Sequence, residues 1–333
     1  MSFRESKEFE AGKLDSIRLE KGPKELRTYL GKLAAFDKKK AVAQINDETL
    51  QFPTLYLVKP ILVRTGLLSR LNSKHLKAVR LTTAISRKDT ACVDYFVKNY
   101  NTEVHEVLKW ILFTGCTEDG LENRYDEILE LSAGLLVRYY KDTSILPIVA
   151  DMIFKRYKKG LLVHNLAWAF FEARNPDSLL LLANYLCSQD NRDYELASRL
   201  LSFIPYVEKN RYTNPAKMHY EVCQWIQENC MFLHHTEECL HLTANPIPYI
   251  LSNEAKYLCK PVSPDDGKPF RDYSEDEEGL LSSFRTLEPN TRLQLASFSY
   301  MLYRRSMHQW NEWIHLPVQD QLRTMKMTMG GRF

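Results

Sequence analysis

The chain has 333 residues, of which 44% are apolar and 26% charged, and its formal net charge is +3. This composition is typical of globular proteins, and the mild positive charge falls short of the excess that marks a nucleic-acid-binding domain. Only twelve glycines are present, so few positions could form a phosphate-binding loop, and the P-loop, Rossmann and nucleophile-elbow patterns are all absent from the sequence.

The N-terminal segment 1–22 is polar and mixed in charge, and we predict that it is a polar arm, formed by a frayed tail or a loose first helix. It has no apolar segment, which argues against a secretory signal, and no run in the chain approaches the roughly 18 apolar residues of a membrane span. The seven cysteines are scattered and lie mostly within helical patterns, so we interpret them as reduced thiols. These features predict a cytoplasmic protein.

Residues 23–209 are predicted to form a helical-repeat domain, because short apolar stretches recur there with helical spacing. Pro23–Phe36 reads as a helix, and prolines at 53 and 60 predict two short helices between Leu50 and Leu71. The run Lys38–Lys40 between them is interpreted as a solvated turn, with a phosphate contact as the alternative. Three further helices are predicted at Lys74–Ile85, Ala91–Tyr100 and Val104–Phe113.

The centre of this domain consists of five short predicted helices separated by a few polar residues. Asp142 and Asp177 each precede an apolar run, as expected of side chains that accept hydrogen bonds at a helix start. One helical hairpin cannot bury its apolar face alone, so neighbouring hairpins must stack on it. The five helices are Ile128–Tyr140, Ser144–Tyr157, Leu161–Ala173, Ser178–Cys187 and Tyr194–Ile204.

In its spacing and patterning, the stretch 73–205 resembles HEAT-type and armadillo-type helical repeats. The resemblance implies an all-α fold, with an α-solenoid-like array of antiparallel helix pairs and a C-terminal helical extension. The patterning is also similar to that of helical-repeat alkyl-base glycosylases. Trp110 and Trp168 could supply aromatic rings to such a groove, but a Trp within an apolar helix is more often core, and no catalytic residue is carried over.

The C-terminal segment 210–333 is predicted to be helical around an acidic, proline-punctuated loop at 261–278. A helix is expected at 216–228, and Cys230–His241 should continue it or return as a second helix. Asn290–His315 reads as one long amphipathic helix.

The densest set of metal-capable residues lies between Cys223 and His241. On a helix, Cys230 and His234 would share a face, and so would His235 and Cys239. This spacing suggests these four residues as candidate ligands of a zinc ion. The set has no paired-cysteine motif, so the alternative is a helical hairpin with buried thiols. His105-Glu106 does not complete a zinc-protease motif, because the required second histidine is replaced by Lys109.

Basic residues near predicted helix ends form a second candidate site. Helix C-termini attract cations through the helix dipole, which explains such clusters without any ligand. In a solenoid, however, successive helix ends lie along one edge and could contact phosphates. The candidate nucleic-acid-binding residues are Arg80, Arg87, Lys88, Lys155, Arg156, Lys158, Lys159, Arg304 and Arg305.

We therefore expect a non-enzymatic scaffold or adaptor that binds another macromolecule, most simply a protein, on its helical-repeat surface. The first alternative is a nucleic-acid-binding protein that uses the basic helix ends. The second is a metal-binding protein or enzyme organised around Cys230–His241. No membrane partner is expected. No cofactor is expected either, except for zinc under the second alternative.

Overall fold

The computed structural model describes residues 12–99, 101–209, 214–238 and 246–329. About 74% of the described residues are helical, and they contain nineteen α-helices and a single sheet of two short strands. The all-α prediction is confirmed. Along the described ranges, none of the helices is both long and apolar enough to span a bilayer. The chain divides into two compact units, Met1–Ala173 and Arg174–Phe333.

The N-terminal unit is built from α-helices joined by short turns, three of which are 3-10 helices in the described residues. The 3-10 helices relevant here cover Leu68–Arg70, Cys116–Glu118 and Thr143–Ile145. The α-helices are α1 (Lys13–Lys21), α2 (Pro23–Phe36), α3 (Lys38–Ile45), α4 (Phe52–Arg64), α5 (Ser73–Ser86), α6 (Thr90–Asn99), α7 (Asn101–Gly115), α8 (Asn123–Arg138), α9 (Leu146–Lys158) and α10 (His164–Phe171).

Helix α1 covers nine residues of the segment 1–22 that the sequence suggested was a polar arm. Its Leu14 and Asp15 are buried, and the Arg18 side chain donates from Nε to Thr54 Oγ1 at 2.9 Å. Asp15 accepts from the Thr54 hydroxyl at 2.5 Å, so these polar groups satisfy one another inside the core. Residues 13–21 therefore form a first helix, one of the two alternatives from the sequence, and it is packed and not loose. Residues 1–11 lie outside the described part.

The two short helices expected between Leu50 and Leu71 are one α-helix, α4, followed by a 3-10 turn. Pro53 lies in its first turn, where a missing N–H costs nothing. Pro60 lies inside the helix but is exposed, so water can satisfy the carbonyl that loses its intrahelical donor. The apolar face of α4 is almost entirely buried, which outweighs the local cost of Pro60.

Side-chain contacts fix the relative directions of helices α5, α7 and α8. His75 at the start of α5 contacts Trp110 near the end of α7, with ring centroids 5.3 Å apart, so these helices are antiparallel. The Tyr125 hydroxyl near the start of α8 donates to the carbonyl of Gly115 at the end of α7, at 2.9 Å. Helices α5 and α8 therefore run in the same direction, and they pack against each other.

The C-terminal unit mixes short helices with a small antiparallel hairpin. Its 3-10 helices cover Pro176–Ser178, Asn184–Cys187 and Cys230–Phe232. The other elements are α11 (Leu179–Ala183), α12 (Asn191–Leu200), α13 (Pro205–Lys209), α14 (Pro215–Asn229), β1 (Leu233–His235), β2 (Tyr249–Leu251), α15 (Asn253–Tyr257), α16 (Glu275–Arg285), α17 (Pro289–Arg305), α18 (Met307–Ile314) and α19 (Val318–Met329).

The division between the units differs from the boundary at 209 and 210 suggested by the sequence. Helix α11 and the turn Asn184–Cys187 pack against α14, so the stretch from Arg174 onward shares a core with the C-terminal helices. The last helices surround an aromatic cluster in which Tyr257 stacks on Phe284 at 4.3 Å between ring centroids. Buried Gln321 accepts from the Tyr257 hydroxyl at 2.8 Å and fixes α19 to this core.

Two other elements of the C-terminal unit also differ from expectation. Residues 275–278 of the expected acidic loop are the first turn of α16, where Ser274 and Glu277 form a reciprocal capping box. The expected long helix 290–315 is interrupted at Ser306, whose side chain caps α18 by accepting from the backbone N–H of Gln309. Both differences follow from serine side chains that satisfy the free N–H groups of a new helix start.

Candidate binding surface

Helices α8 and α10 run side by side in the same direction, held by two polar contacts. Asn165 Nδ2 donates to Glu130 Oε2 at 2.8 Å near the start of the contact. Two turns further on, Arg138 forms an ion pair with Glu172. The contacts join successive residues of both helices in the same order, which fixes their parallel direction.

The outer side of this helix pair carries apolar side chains between the two polar contacts. Leu131, next to Glu130 on α8, is 40% exposed, and Trp168, between Asn165 and Glu172 on α10, is partly exposed. The helical positions of both residues place them on the same, outer side of the pair. We name the strip formed by Leu131, Leu135, Arg138, Trp168 and Glu172 the seam surface.

The seam surface rests on a rigid base. Ile128, Leu129 and Ala133 of α8 are completely buried, and Phe170 of α10 is 1% exposed. The Trp168 ring packs edge-on against Phe171 at 6.0 Å between centroids, which holds the indole in place. A positioned indole and an arginine are the residue types that most often anchor protein interfaces, and the exposed leucine adds apolar area beside them.

Arg156, predicted to contact phosphate, is instead a buried structural residue. It is 2% exposed, and its Nη2 and Nε lie 2.6 and 2.9 Å from Asp119 Oδ1. Glu130 also pairs with its guanidinium. Because two carboxylates already neutralise this buried cation, Arg156 is not available to a ligand, and its prediction as a phosphate contact is wrong.

The lysines around Arg156 are also engaged within the unit. Lys155 Nζ lies 2.6 Å from Asp151 Oδ2, one helical turn before it. Lys159 Nζ donates to the Asp119 backbone carbonyl at 2.8 Å. The Lys155 contact lies within α9, whereas the contacts of Lys159 and Arg156 with Asp119 fasten the end of α9 to the loop that precedes α8. Lys158 is half-buried on the same turn.

The remaining predicted phosphate contacts lie on exposed surfaces of both units. Arg80, Arg87 and Lys88 are exposed on or just after α5, in the N-terminal unit. Arg304 and Arg305 are exposed at the end of α17, in the C-terminal unit, and the Arg304 guanidinium lies 5.9 Å from the centre of the Tyr300 ring. A role for these five residues in binding nucleic acid stays a prediction.

The proposed zinc ligands do not have the helical spacing on which that prediction depended. Cys230 begins a 3-10 turn, and His234 and His235 are successive residues of strand β1, so their side chains point to opposite faces. Over the ranges that the structure covers, no three His, Cys, Asp or Glu side chains come close enough to hold a metal. Cys239 lies outside the described residues.

Both histidines instead stabilise the local fold of the hairpin. His234 packs so closely on Gly267 that a Cβ atom there would lie 2.7 Å from the imidazole. Buried His235 accepts from the backbone N–H of Glu237 through Nδ1 at 3.0 Å. Burial, followed by the nearby positive charge of Arg174, lowers the pKa of His235 to about 4, so the ring is neutral at physiological pH.

A polar cluster around Asp142 was only partly visible in the sequence. Asp142 caps the turn before α9, as predicted, by accepting from the backbone N–H of Ser144 at 3.0 Å. It also lies 2.8 Å from His105 Nε2 and 3.1 Å from Lys109 Nζ. Burial alone would raise its pKa, but the hydrogen bonds from Ser144, Lys109 and His105 hold that pKa at about 2. The cluster therefore fastens α7 to the start of α9.

No family model, curated protein or solved structure matches this chain. The resemblance to helical repeats consequently remains one of spacing and patterning. The seam surface could have been found in the sequence only by noting apolar Leu131 and Leu135 at helical spacing beside exposed charges. A buried helix would give the same pattern, so the exposure of these residues had to come from the structure.

Proposed function

We propose that this protein is a non-enzymatic scaffold or adaptor that binds a protein partner on the seam surface. The observation that carries the proposal is the exposure of Leu131 and Trp168 on one side of two helices locked together by Asn165–Glu130 and Arg138–Glu172. A preordered apolar strip with charged neighbours binds at low entropic cost, because little must be ordered on association.

We also propose that the N-terminal unit is a short solenoid-like array. The parallel layer of α5, α8 and α10, with α7 antiparallel to it, supports this proposal because stacked helical hairpins repeat their first helices in one direction. Such a layer presents side chains of successive repeats on one continuous face. The seam surface would then be the part of that face contributed by two adjacent repeats.

The titratable groups close to the seam also favour a binding role over a catalytic one. Glu130, Arg138 and Glu172 are engaged in contacts between helices. All six cysteines in the described ranges are free thiols, which supports the proposal of a reducing, cytoplasmic location.

The proposal can be tested by site-specific photocross-linking in native lysate treated with nuclease. A photoreactive amino acid replaces Leu131 in the full chain, and cross-linked products are identified by mass spectrometry. We expect a discrete protein adduct that disappears when the adjacent Leu135 is changed to Asp. A suitable control is the same amino acid at Tyr95, which is 55% exposed but lies on α6, outside the seam surface.

Two results would contradict the proposal. Equal and diffuse cross-linking at positions 131 and 95 would mean that the seam surface has no specific partner. Loss of every adduct after nuclease treatment, with binding that falls steeply as salt rises, would favour the basic helix ends and a nucleic-acid ligand instead. The half-buried position of Leu135 makes its unfolding midpoint the necessary control: a Leu135→Asp variant that loses the adduct but keeps the wild-type midpoint has lost binding and not folding.

A further inference from the structure

The positive charge of the protein is concentrated at its first three helices. Residues 12–46 contain nine Lys or Arg and four Asp or Glu, a net charge of +5, whereas the whole chain carries only +3. Arg18 and Asp15 of this segment are buried together, so the excess is carried by surface lysines. We name the group formed by Lys32, Phe36, Lys38, Lys39 and Lys40, at the junction of α2 and α3, the basic corner.

Three of these lysines lie where helix electrostatics disfavour them. Lys38, Lys39 and Lys40 form the first turn of α3, which has no acidic residue in that turn. The N-terminal end of a helix carries a partial positive charge, so cations there are repelled and anions are attracted. The requirements of the α3 helix therefore do not explain this run, in contrast to basic residues at a helix C-terminus.

No carboxylate in the described part of the chain lies within ion-pair distance of the lysines of the basic corner. The nearest acidic residue in sequence, Asp37, is the N-cap of α3 and accepts from the backbone N–H of Lys40 at 2.9 Å. All four lysines are exposed. Their charges add to the field of the helix terminus, which makes the corner a site of strong positive potential.

Phe36 lies at the centre of this positive corner and is 90% exposed, more than any other large apolar side chain in the described ranges. It is the last residue of α2, with Lys32 one turn before it on the same face and Lys38 two residues after it. Lys32 thus precedes the ring by about one helical turn, roughly 5.4 Å along the axis of α2, and Lys38 follows it across the break at Asp37.

From this arrangement we infer that the basic corner binds single-stranded nucleic acid, with one base stacked on Phe36 and phosphates held by Lys32 and Lys38–Lys40. A lone aromatic ring among cations is the combination that single-strand-binding surfaces use, because stacking tolerates any base and the cations follow the backbone. An anionic membrane fits less well, since stable insertion needs an extended apolar face and the neighbours of Phe36 are charged. This inference is independent of the seam surface.

The test measures fluorescence anisotropy of a labelled, mixed-sequence 12-nucleotide RNA titrated with the full chain at several salt concentrations. The variant K38E/K39E/K40E should bind at least tenfold more weakly, and its slope of log affinity against log salt should fall by about 2. The matched control K98E/K217E/K326E makes the same total charge change at three exposed lysines elsewhere and should retain the wild-type salt slope.

Phe36→Ala separates stacking from charge. It should weaken binding about tenfold without changing the salt slope, because it removes one ring and no cation. Equal loss in the corner variant and its control would overturn the proposal, as would unchanged affinity in Phe36→Ala. Binding to vesicles containing anionic lipid, without binding to RNA, would assign the corner to a membrane instead. The charge reversals should not lower the unfolding midpoint, since acids are favoured in the first turn of a helix.

Discussion

Two runs of basic residues in this protein look alike in the sequence and behave differently in the structure. The run Lys155–Lys159 lies at the C-terminal end of α9. There, Arg156 is buried between Asp119 and Glu130, and Lys155 pairs with Asp151. Lys38–Lys40 begins α3, is exposed, and has no carboxylate within ion-pair distance among the described residues. The first run is explained by the fold, and the second is not.

The comparison shows that the density of positive charge does not identify a ligand site. What matters is whether the fold supplies carboxylates for the cations and whether the helix terminus favours or opposes them. The four predictions below test how the fold treats individual basic residues, beginning with the largest expected effect.

Replacing Arg156 with Ala should destabilise the N-terminal unit by about 3 to 5 kcal/mol, because it leaves the buried carboxylate of Asp119 without its partner. The measurement is the free energy of unfolding in urea. Lys155→Ala on the same turn is the control, and it should cost less than about 1 kcal/mol because its ion pair with Asp151 is half exposed. Similar costs for the two variants would contradict the distinction between buried and surface cations.

His75 is a buried side chain that the fold keeps uncharged. Burial, followed by the neighbouring charge of Lys74, lowers its pKa to about 4, so between pH 6.5 and 4 the unfolded chain takes up the proton before the folded one. Stability is therefore lost as pH falls through this window, by about 2.5 kcal/mol between pH 7 and 4.5. His75→Phe should remove this contribution from urea unfolding measured at the two pH values. If wild type and His75→Phe had the same pH dependence, His75 would take up its proton over the same pH range in the folded and unfolded states.

Lys256 of the C-terminal unit is a buried cation without a carboxylate partner. It is 3% exposed, and its Nζ donates to Asn229 Oδ1 at 2.6 Å and to Ser297 Oγ at 3.2 Å. Burial lowers its pKa to about 8, so from pH 8 to 10.5 the unfolded chain binds more protons and stability rises with pH. The gain between pH 7 and 9.5 should be about 2 kcal/mol.

The matching variant for Lys256 is Lys256→Met, which keeps the length of the side chain and removes the titrating group. The difference in unfolding free energy between wild type and variant should change by about 2 kcal/mol from pH 7 to 9.5. Comparing the two proteins at each pH cancels the ionisation of other groups, including the tyrosines. A constant difference would show that Lys256 has an ordinary pKa in the folded protein.

Much of the fold could be predicted from local sequence, and the failures have identifiable physical causes. Apolar periodicity located most helices of the N-terminal unit, and Asp142 was correctly predicted as a helix cap. Strand β1 was missed because Leu233–His235 is too short to show an alternating pattern, and its partner strand β2 lies fourteen residues further along the chain. The packing of α1 into the core was not predicted, because its polar Asp15 and Arg18 are buried in hydrogen bonds to distant residues.

The candidate sites were less predictable than the fold, because availability depends on contacts between distant residues. Nothing near Arg156 in sequence indicates that Asp119, 37 residues earlier, will neutralise it. The exposure of Leu131 depends equally on which face of α8 packs against α5, α7 and α10. The Lys38–Lys40 run was interpreted as a turn because Asp37 was not recognised as the cap of a new helix.

The smallest expected effect is that of the helix dipole, which is tested by one charge reversal in each of the two basic runs. Lys39→Glu puts an acid in the first turn of α3 and should raise the free energy of unfolding by about 0.3 to 1 kcal/mol. Lys155→Glu puts an acid in the last turn of α9 beside Asp151, and should lower it by about 1 kcal/mol. Urea unfolding at low ionic strength measures both, and the difference should shrink as salt is added. If both reversals lowered stability equally, Lys39 would have a structural role in the fold, and the case for a ligand at the basic corner would lose its electrostatic basis.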